Sequence, residues 1–177
     1  VSHLLYFFEK SMKKHKSHFT DEEYESYLTH GRMTLTALYK YKFEEWQKIP
    51  KIAVEEEVSN ADHNGIPLKG FLDKVEIHKD YVHVVDYKTG KFRKPKLSPP
   101  SEKEPNGGDY WRQLVFYKML LDSDTKHNWN MVSGEIDFIE PDRKTGAFSN
   151  FKYVVSHEDI EVVGQQIEDT FKNIKEY

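Results

Sequence analysis

The spacing of apolar residues changes period several times along the chain, and each change predicts a new element. The opening stretch "VSHLLYFFEKSMKKHK", residues 1–16, holds a short apolar run before Glu9 and reads as helical. From Thr20 a capping box, Thr20 to Glu23, starts a second helix carrying Tyr24, Leu28, Leu35, Leu38 and Tyr39 near the helical period. The pattern then shortens to period two. "KIAVEEEVS" (51–59) predicts a strand and "NADHNG" (60–65) its turn. Residues 66–80 and 81–90 predict two more strands, joined at His78 to Tyr81 as an antiparallel pair. Residues 91–108 hold four of the seven prolines and two glycines and read as an extended, partly disordered loop. "DYWRQLVFYKMLLDS" (109–123) predicts a helix capped by Asp109, with Leu114, Tyr117, Met119 and Leu121 among its apolar positions. A hairpin around Asp142 to Gly146 follows. An amphipathic helix with Ile160, Val163, Ile167, Phe171 and Ile174 closes the chain. Helix, three strands, helix, strands, helix predicts an α/β domain with a central mixed sheet flanked by helices.

Composition narrows the chemistry. At 177 residues the chain suits one domain, 1–177, with a proper core. Lys plus Arg is 26 against 30 for Asp plus Glu, so a nucleic-acid role must rest on local patches rather than net charge. The absence of cysteine excludes disulfides, a thiolate nucleophile, Cys-ligated zinc and an iron–sulfur cluster. The first apolar run is too short for a membrane span and lacks the flanks of a signal peptide. Because the chain starts with Val inside a helical stretch, it reads as excised from a longer polypeptide.

Two acids stand where apolar residues are expected. In "VHVVDYKTGK" (82–91), Val82, Val84, Asp86 and Lys88 share one strand face, so an apolar face ends in a carboxylate and an ammonium. In "LKGFLDKVEIH" (68–78), Asp73 interrupts the stripe of Phe71, Val75 and Ile77. If the strands pair around His78 to Tyr81, Asp73 and Asp86 fall on neighbouring strands and can converge on one hard cation, Mg²⁺ or Mn²⁺, with Lys88 beside them. The competing reading is a structural ion pair of Asp73 with Lys88. Gly70 permits close backbone approach before Asp73, and Gly90 ends the strand after Lys88.

"GFLDK", "DYKTGK" and "QLVFY", in that order and at these spacings, resemble the RecB-like branch of the PD-(D/E)XK nucleases, the nuclease domain found at the C-terminus of UvrD-type helicases. The resemblance implies a restriction-endonuclease-like fold and a Mg²⁺- or Mn²⁺-dependent deoxyribonuclease acting in DNA repair or recombination. It further implies DNA as partner, a helicase domain in the same polypeptide or complex, and a cytoplasmic, nucleoid-associated setting. Carried over residue by residue, it makes Asp73 and Asp86 metal ligands and Lys88 the catalytic lysine. The Tyr87 carbonyl becomes a further ligand, and His3 the ligand supplied by the first helix. Gln113 and Tyr117, four apart on one helix face, would support the site and the strand.

Around this centre, Lys91, Arg93, Lys94 and Lys96, with Phe92 among them, form a candidate phosphate track or a solvated loop. Tyr110 and Trp111 offer stacking surfaces or ordinary packing. Glu55, Glu56 and Glu57 hold either one extra acid of the site or an edge-strand charge run. His63, His78 and His83 lack zinc spacing. Two rival functions stay in view. One is a nuclease-fold module that has lost cleavage and binds DNA or a partner. The other is a carboxylate-pair glycosidase, for which the lysine and the Gln-x-x-x-Tyr pair have no use.

Overall fold

The period-two middle of the chain folds as expected into antiparallel strands, and their turns explain the register. In the computed structural model, which describes residues 1–176, strand β1 (Lys51–His63) pairs with β2 (Ile66–Ile77) across Asn64 and Gly65. Both turn residues have positive φ, 51° and 81°, the conformation an Asn-Gly hairpin adopts. The strand therefore runs on through residues 60–63, where composition predicted a turn, and a bulge between Val58 and Ala61 absorbs the irregular segment. Strand β3 (Val82–Lys88) pairs antiparallel with β2, Val75 opposite Val84, after a turn in which His78 N–H donates to the Tyr81 carbonyl at 2.9 Å.

Helix α3 (Asp109–Ser123) then carries the chain to β4 (Met131–Phe138), the next strand in the sheet order β1-β2-β3-β4-β5. The strands β3 and β4 start together, with Val82 N–H donating to the Asn130 carbonyl at 2.8 Å and His83 bonded to Ser133, so they run parallel. A parallel neighbour requires a crossover, and α3 supplies it. The short β5 (Asn150–Tyr153) pairs antiparallel with β4. The result is a mixed five-stranded sheet.

Helix α3 buries Trp111, Leu114, Val115 and Leu120 fully, as the sheet buries Leu72, Val75, Val84 and Ile136. Gly70 makes this approach possible: a Cβ there would stand 2.6 Å from Leu120 Cδ1. Helix α4 (His157–Glu176) begins at a reciprocal cap, with Ser156 N–H donating to Asp159 Oδ2 at 2.8 Å and Asp159 N–H to Ser156 Oγ at 3.2 Å. Trp111 Nε1 donates to the same Asp159 at 3.2 Å, tying α4 to α3.

The chain divides into two compact units: the sheet unit (49–88, 92–137 and the residues from 150 on) and a helical unit (1–48, 89–91 and 138–149). In the helical unit, α1 (Ser2–Lys14) and α2 (Asp21–Trp46) form an antiparallel-type pair held by Arg32 Nε to Glu9 Oε1 at 2.8 Å and by the Phe8 ring resting on Gly31. The Thr20–Glu23 capping box is present in both directions. Tyr41 of α2 stacks on Phe148 at 4.7 Å.

Two local expectations are corrected. Asp109 is the first residue inside α3 rather than its cap, because the cap position is Gly108, pressed against the Lys96 backbone where no side chain fits. Asp109 instead pairs with Arg112 at 2.5 Å. The loop 91–108 is also more ordered than its prolines suggest. It contains a 3-10 turn (Lys94–Leu97) whose Leu97 is only 3% exposed, and Gly108 N–H closes onto the Ser98 carbonyl at 2.8 Å.

Candidate active site

Strand pairing puts Asp73 and Asp86 at the same level on neighbouring strands, one step beyond the Lys74–Val85 pair. The Tyr87 backbone N–H donates to Asp73 Oδ2 at 2.9 Å, so the two acids are joined through the backbone that also carries Lys88. Asp73 is partly exposed, whereas Asp86 is 2% exposed. A carboxylate so deep needs donors. Helix α3 brings two of them to Oδ1: Tyr117 OH at 2.7 Å and Gln113 Nε2 at 2.8 Å. Gln113 Nε2 is also 2.6 Å from Tyr117 OH, so the three groups lock one another. The buried Oδ2 has no hydrogen bond of good geometry and faces Lys88 Nζ at 2.5 Å as an ion pair. The lysine's partner is thus Asp86, not the Asp73 of the ion-pair reading.

Burial pushes the Asp86 carboxyl above the usual aspartate range, against the pull of Lys88 and Tyr117, and the charge of Asp73 adds to the rise. Burial likewise pushes the Tyr117 phenol far up, reinforced by the Asp86 charge, so it stays a donor at any ordinary pH. Lys88 Nζ lies over the Tyr110 ring, 5.3 Å from its centroid, and Lys96 Nζ over the same ring at 5.0 Å. Tyr110 therefore gathers two cations beside the acids. Its neighbour Trp111 is wholly buried and serves packing.

The other sequence candidates fall as follows. His3 is exposed on α1 in the helical unit. Lys91, Arg93 and Lys94 are exposed, and Lys96 is half-buried and 3.8 Å from Asp109. Glu56 pairs with Lys126 at 3.1 Å and His127 at 2.8 Å, and Glu57 with Lys69 at 2.8 Å. Glu56 and Glu57 thus serve as charged residues of an edge strand. Tyr87 turns its ring to the opposite face, toward Lys74.

That opposite face carries groups that sequence reasoning missed. Lys74 bonds Glu76 at 2.7 Å, and His83 bonds Ser133 Oγ at 2.7 Å and Glu135 at 3.2 Å, all buried or nearly so. Their signal was the same alternation that exposed Asp73 and Asp86: Lys74 with Glu76, and Glu135 with Asp137, repeat at period two on the other face.

Hard oxygen donors on adjacent strands, one of them buried with an oxygen lacking a good hydrogen bond, suit a small dication better than a soft metal. Among the described residues, no three His, Asp or Glu side chains stand close enough to form a complete metal shell.

Residues 4–177 match the PD-(D/E)XK nuclease superfamily. The chain belongs to that superfamily. Its mixed five-stranded sheet flanked by helices is the restriction-endonuclease-like fold. The PD-(D/E)XK nucleases are in general metal-dependent. The match begins one residue after His3. No curated protein matches the chain. Among solved structures, the crystal structure of SSO0001 aligns with 97% of this chain and 85% of its own, at 16% identity and a TM-score of 0.44. No helix among the described residues is long and apolar enough to cross a membrane.

Proposed function

We propose that the chain is a Mg²⁺- or Mn²⁺-dependent deoxyribonuclease in which Asp73 and Asp86 hold the cation and Lys88 acts on the scissile phosphate. The observation that supports it best is the unequal treatment of the two Asp86 oxygens. Oδ1 is fixed by Tyr117 and Gln113, while Oδ2 meets an ammonium whose place a cation can take. A purely structural carboxylate would have both oxygens satisfied by hydrogen bonds.

The bound dication would supply charge neutralisation at the phosphoryl oxygens and a more acidic water. The protein's own groups do the rest. Tyr117 and Gln113 hold the Asp86 carboxylate in one orientation, and the Tyr87 N–H does the same for Asp73. Lys88, on a partly exposed side chain beside Asp86, would stabilise the charge that builds on the phosphate as the attacking water's oxygen bonds to phosphorus and the sugar oxygen departs. The Tyr87 carbonyl and His3 as further ligands rest on the family resemblance. So do the RecB-like assignment, the repair or recombination role and the helicase partner, which the order of the G-x-x-D, D-Y-K-T-G and Q-x-x-x-Y motifs supports.

Digestion of plasmid and oligonucleotide DNA with Mg²⁺, Mn²⁺ or EDTA tests the reading. Metal-dependent cleavage that disappears in Asp73→Asn and Asp86→Asn, with circular dichroism unchanged, is expected. Cleavage surviving in either variant, or in EDTA, overturns it; a wild-type protein that binds DNA without cutting points to the inactive binding module.

A further inference from the structure

We propose that the apolar groove between α3, α4 and the start of β2 is a nucleobase subsite, so that a strand cut at Asp73 and Asp86 is engaged through an unpaired base. The inference rests on the nuclease reading of that acid pair and specifies its substrate. The groove has a volume of about 600 Å³, within the range of small-molecule sites. Its walls are Leu68, Phe116, Val163, Ile167 and Phe171. Gln113, Gln166 and Thr170 also line it, with Gln166 Nε2 donating to the Asn106 carbonyl at 3.2 Å and Thr170 Oγ1 to the Gln166 carbonyl at 2.7 Å. A flat heteroaromatic ring with polar edges matches that distribution.

The groove is continuous with the candidate active site through two residues one helical turn apart. Gln113 lines the groove and donates to Asp86 Oδ1 at 2.8 Å. Tyr110 lines it and carries Lys88 and Lys96 over its ring. Through Tyr110, two ammonium groups thus adjoin the apolar groove. The one acid at that edge, Asp109, is neutralised by Arg112 at 2.5 Å, whose guanidinium also donates to the Asn106 and Gly107 carbonyls at 3.0 and 2.8 Å. A nucleotide uses both features, its base in the slot and its phosphates on the lysines. An apolar helix or a second copy of the chain would gain nothing from the cations.

The hairpin beside the groove is anchored. At the tip of the β1–β2 hairpin, Asn64 Nδ2 donates to Glu168 Oε1 at 2.7 Å, His63 pairs with the same carboxylate at 3.3 Å, and the His63 ring rests on Gly164. These bonds fix the hairpin to α4 beside the groove. A base stacked inside a duplex cannot enter such a slot, so the occupant is unpaired or flipped out.

The test uses the full chain in EDTA, where binding is read apart from cleavage. Fluorescence anisotropy compares an oligothymidylate with an abasic sugar-phosphate strand of the same length. One stacked base corresponds to about a 5- to 150-fold preference for the base-bearing strand. Phe171→Ala is expected to remove most of that preference while leaving abasic affinity unchanged. Phe171→Trp should keep it, with the added indole quenched by oligothymidylate and not by the abasic strand. Equal wild-type affinity for both strands would overturn the proposal. A preference untouched by Phe171→Ala, together with an unquenched indole, would do so as well, as would a wild-type dimer that Phe171→Ala dissociates. Base preference in EDTA without cleavage in Mg²⁺ or Mn²⁺ would sink the nuclease reading and keep the subsite.

Discussion

Replacing Tyr117 by Phe removes one oxygen and leaves the packing of α3 in place, so it isolates what the phenol does for Asp86. In the folded protein Asp86 Oδ1 accepts from Tyr117 OH at 2.7 Å and from Gln113 Nε2 at 2.8 Å. A hydrogen bond to a buried carboxylate contributes about 1.5–3 kcal/mol, and Gln113 remains, so a loss near the lower end, about 1.5 kcal/mol, is expected. Losing a donor to the ionised form favours the neutral one, so the Asp86 carboxyl should rise further above its already raised position.

The sign of the pH effect follows from that direction. A raised carboxyl makes the native state bind more protons than the unfolded one between the ordinary aspartate value, about 4, and the folded value. The Asp86 contribution to stability is therefore most favourable below that window and declines as pH rises through it. In Tyr117→Phe the window extends upward, so the melting temperature should fall further behind wild type at neutral than at acidic pH. The cation needs the ionised carboxylate. The acid limb of the cleavage profile should therefore move to higher pH, with near-wild-type rates on the plateau. Pre-steady-state cleavage across pH, alongside thermal melts in the same buffers, measures both. An unmoved acid limb with a rate depressed equally at every pH would refute the reasoning, since Tyr117 would then act on the substrate rather than through Asp86.

Lys88→Ala should slow cleavage by about 10²–10³, as for loss of one preorganised charge-stabilising donor, with Mn²⁺ affinity by calorimetry within a few-fold of wild type. A folded variant that loses Mn²⁺ but keeps its rate at saturating metal would make Lys88 a structural counter-ion. Replacing Lys91, Arg93, Lys94 and Lys96 together by Gln should weaken single-stranded DNA binding and reduce the slope of log affinity against log salt by about 0.7 for each phosphate no longer neutralised. An unchanged slope would return these residues to a solvated loop.

The acid pair was legible because a short turn fixes a register. Once His78 to Tyr81 turns the chain, residues 73 and 86 must face each other across the strands, and Val75 opposite Val84 shows that they do. The Gln113–Tyr117 pair was legible for the same kind of reason, being one helical turn apart. Length was misread where composition and geometry diverged. "NADHNG" looks like a loop, yet Asn64 and Gly65 alone turn the chain, and β1 runs through the rest. The buried face with Lys74, Glu76 and His83 was hidden because alternating polar residues in a strand ordinarily mark a solvent face. Here β3 is covered on both sides, as buried Val82, His83, Val84, Val85 and Asp86 in succession attest. The groove could not be seen at all, since its walls come from β2, α3 and α4 and meet only after folding.

The connection between β3 and β4 explains why an acid, a lysine and a distant helix belong to one device. Two parallel neighbours cannot be joined by a tight turn, so the chain must cross over one face of the sheet, and α3 does so on the face that Asp73 and Asp86 share. That crossover buries Asp86, a cost that an unpaired carboxylate could not bear. The same helix supplies the remedy, Tyr117 and Gln113 on Oδ1, and Lys88 comes from the strand itself to Oδ2. The remedy is complete for one oxygen and provisional for the other. The Oδ2 partner stands on a long, partly exposed side chain, so under the proposed function a cation can take its place at a buried negative site. Phosphodiester cleavage by a dication requires that property, and a structural ion pair has no need of it.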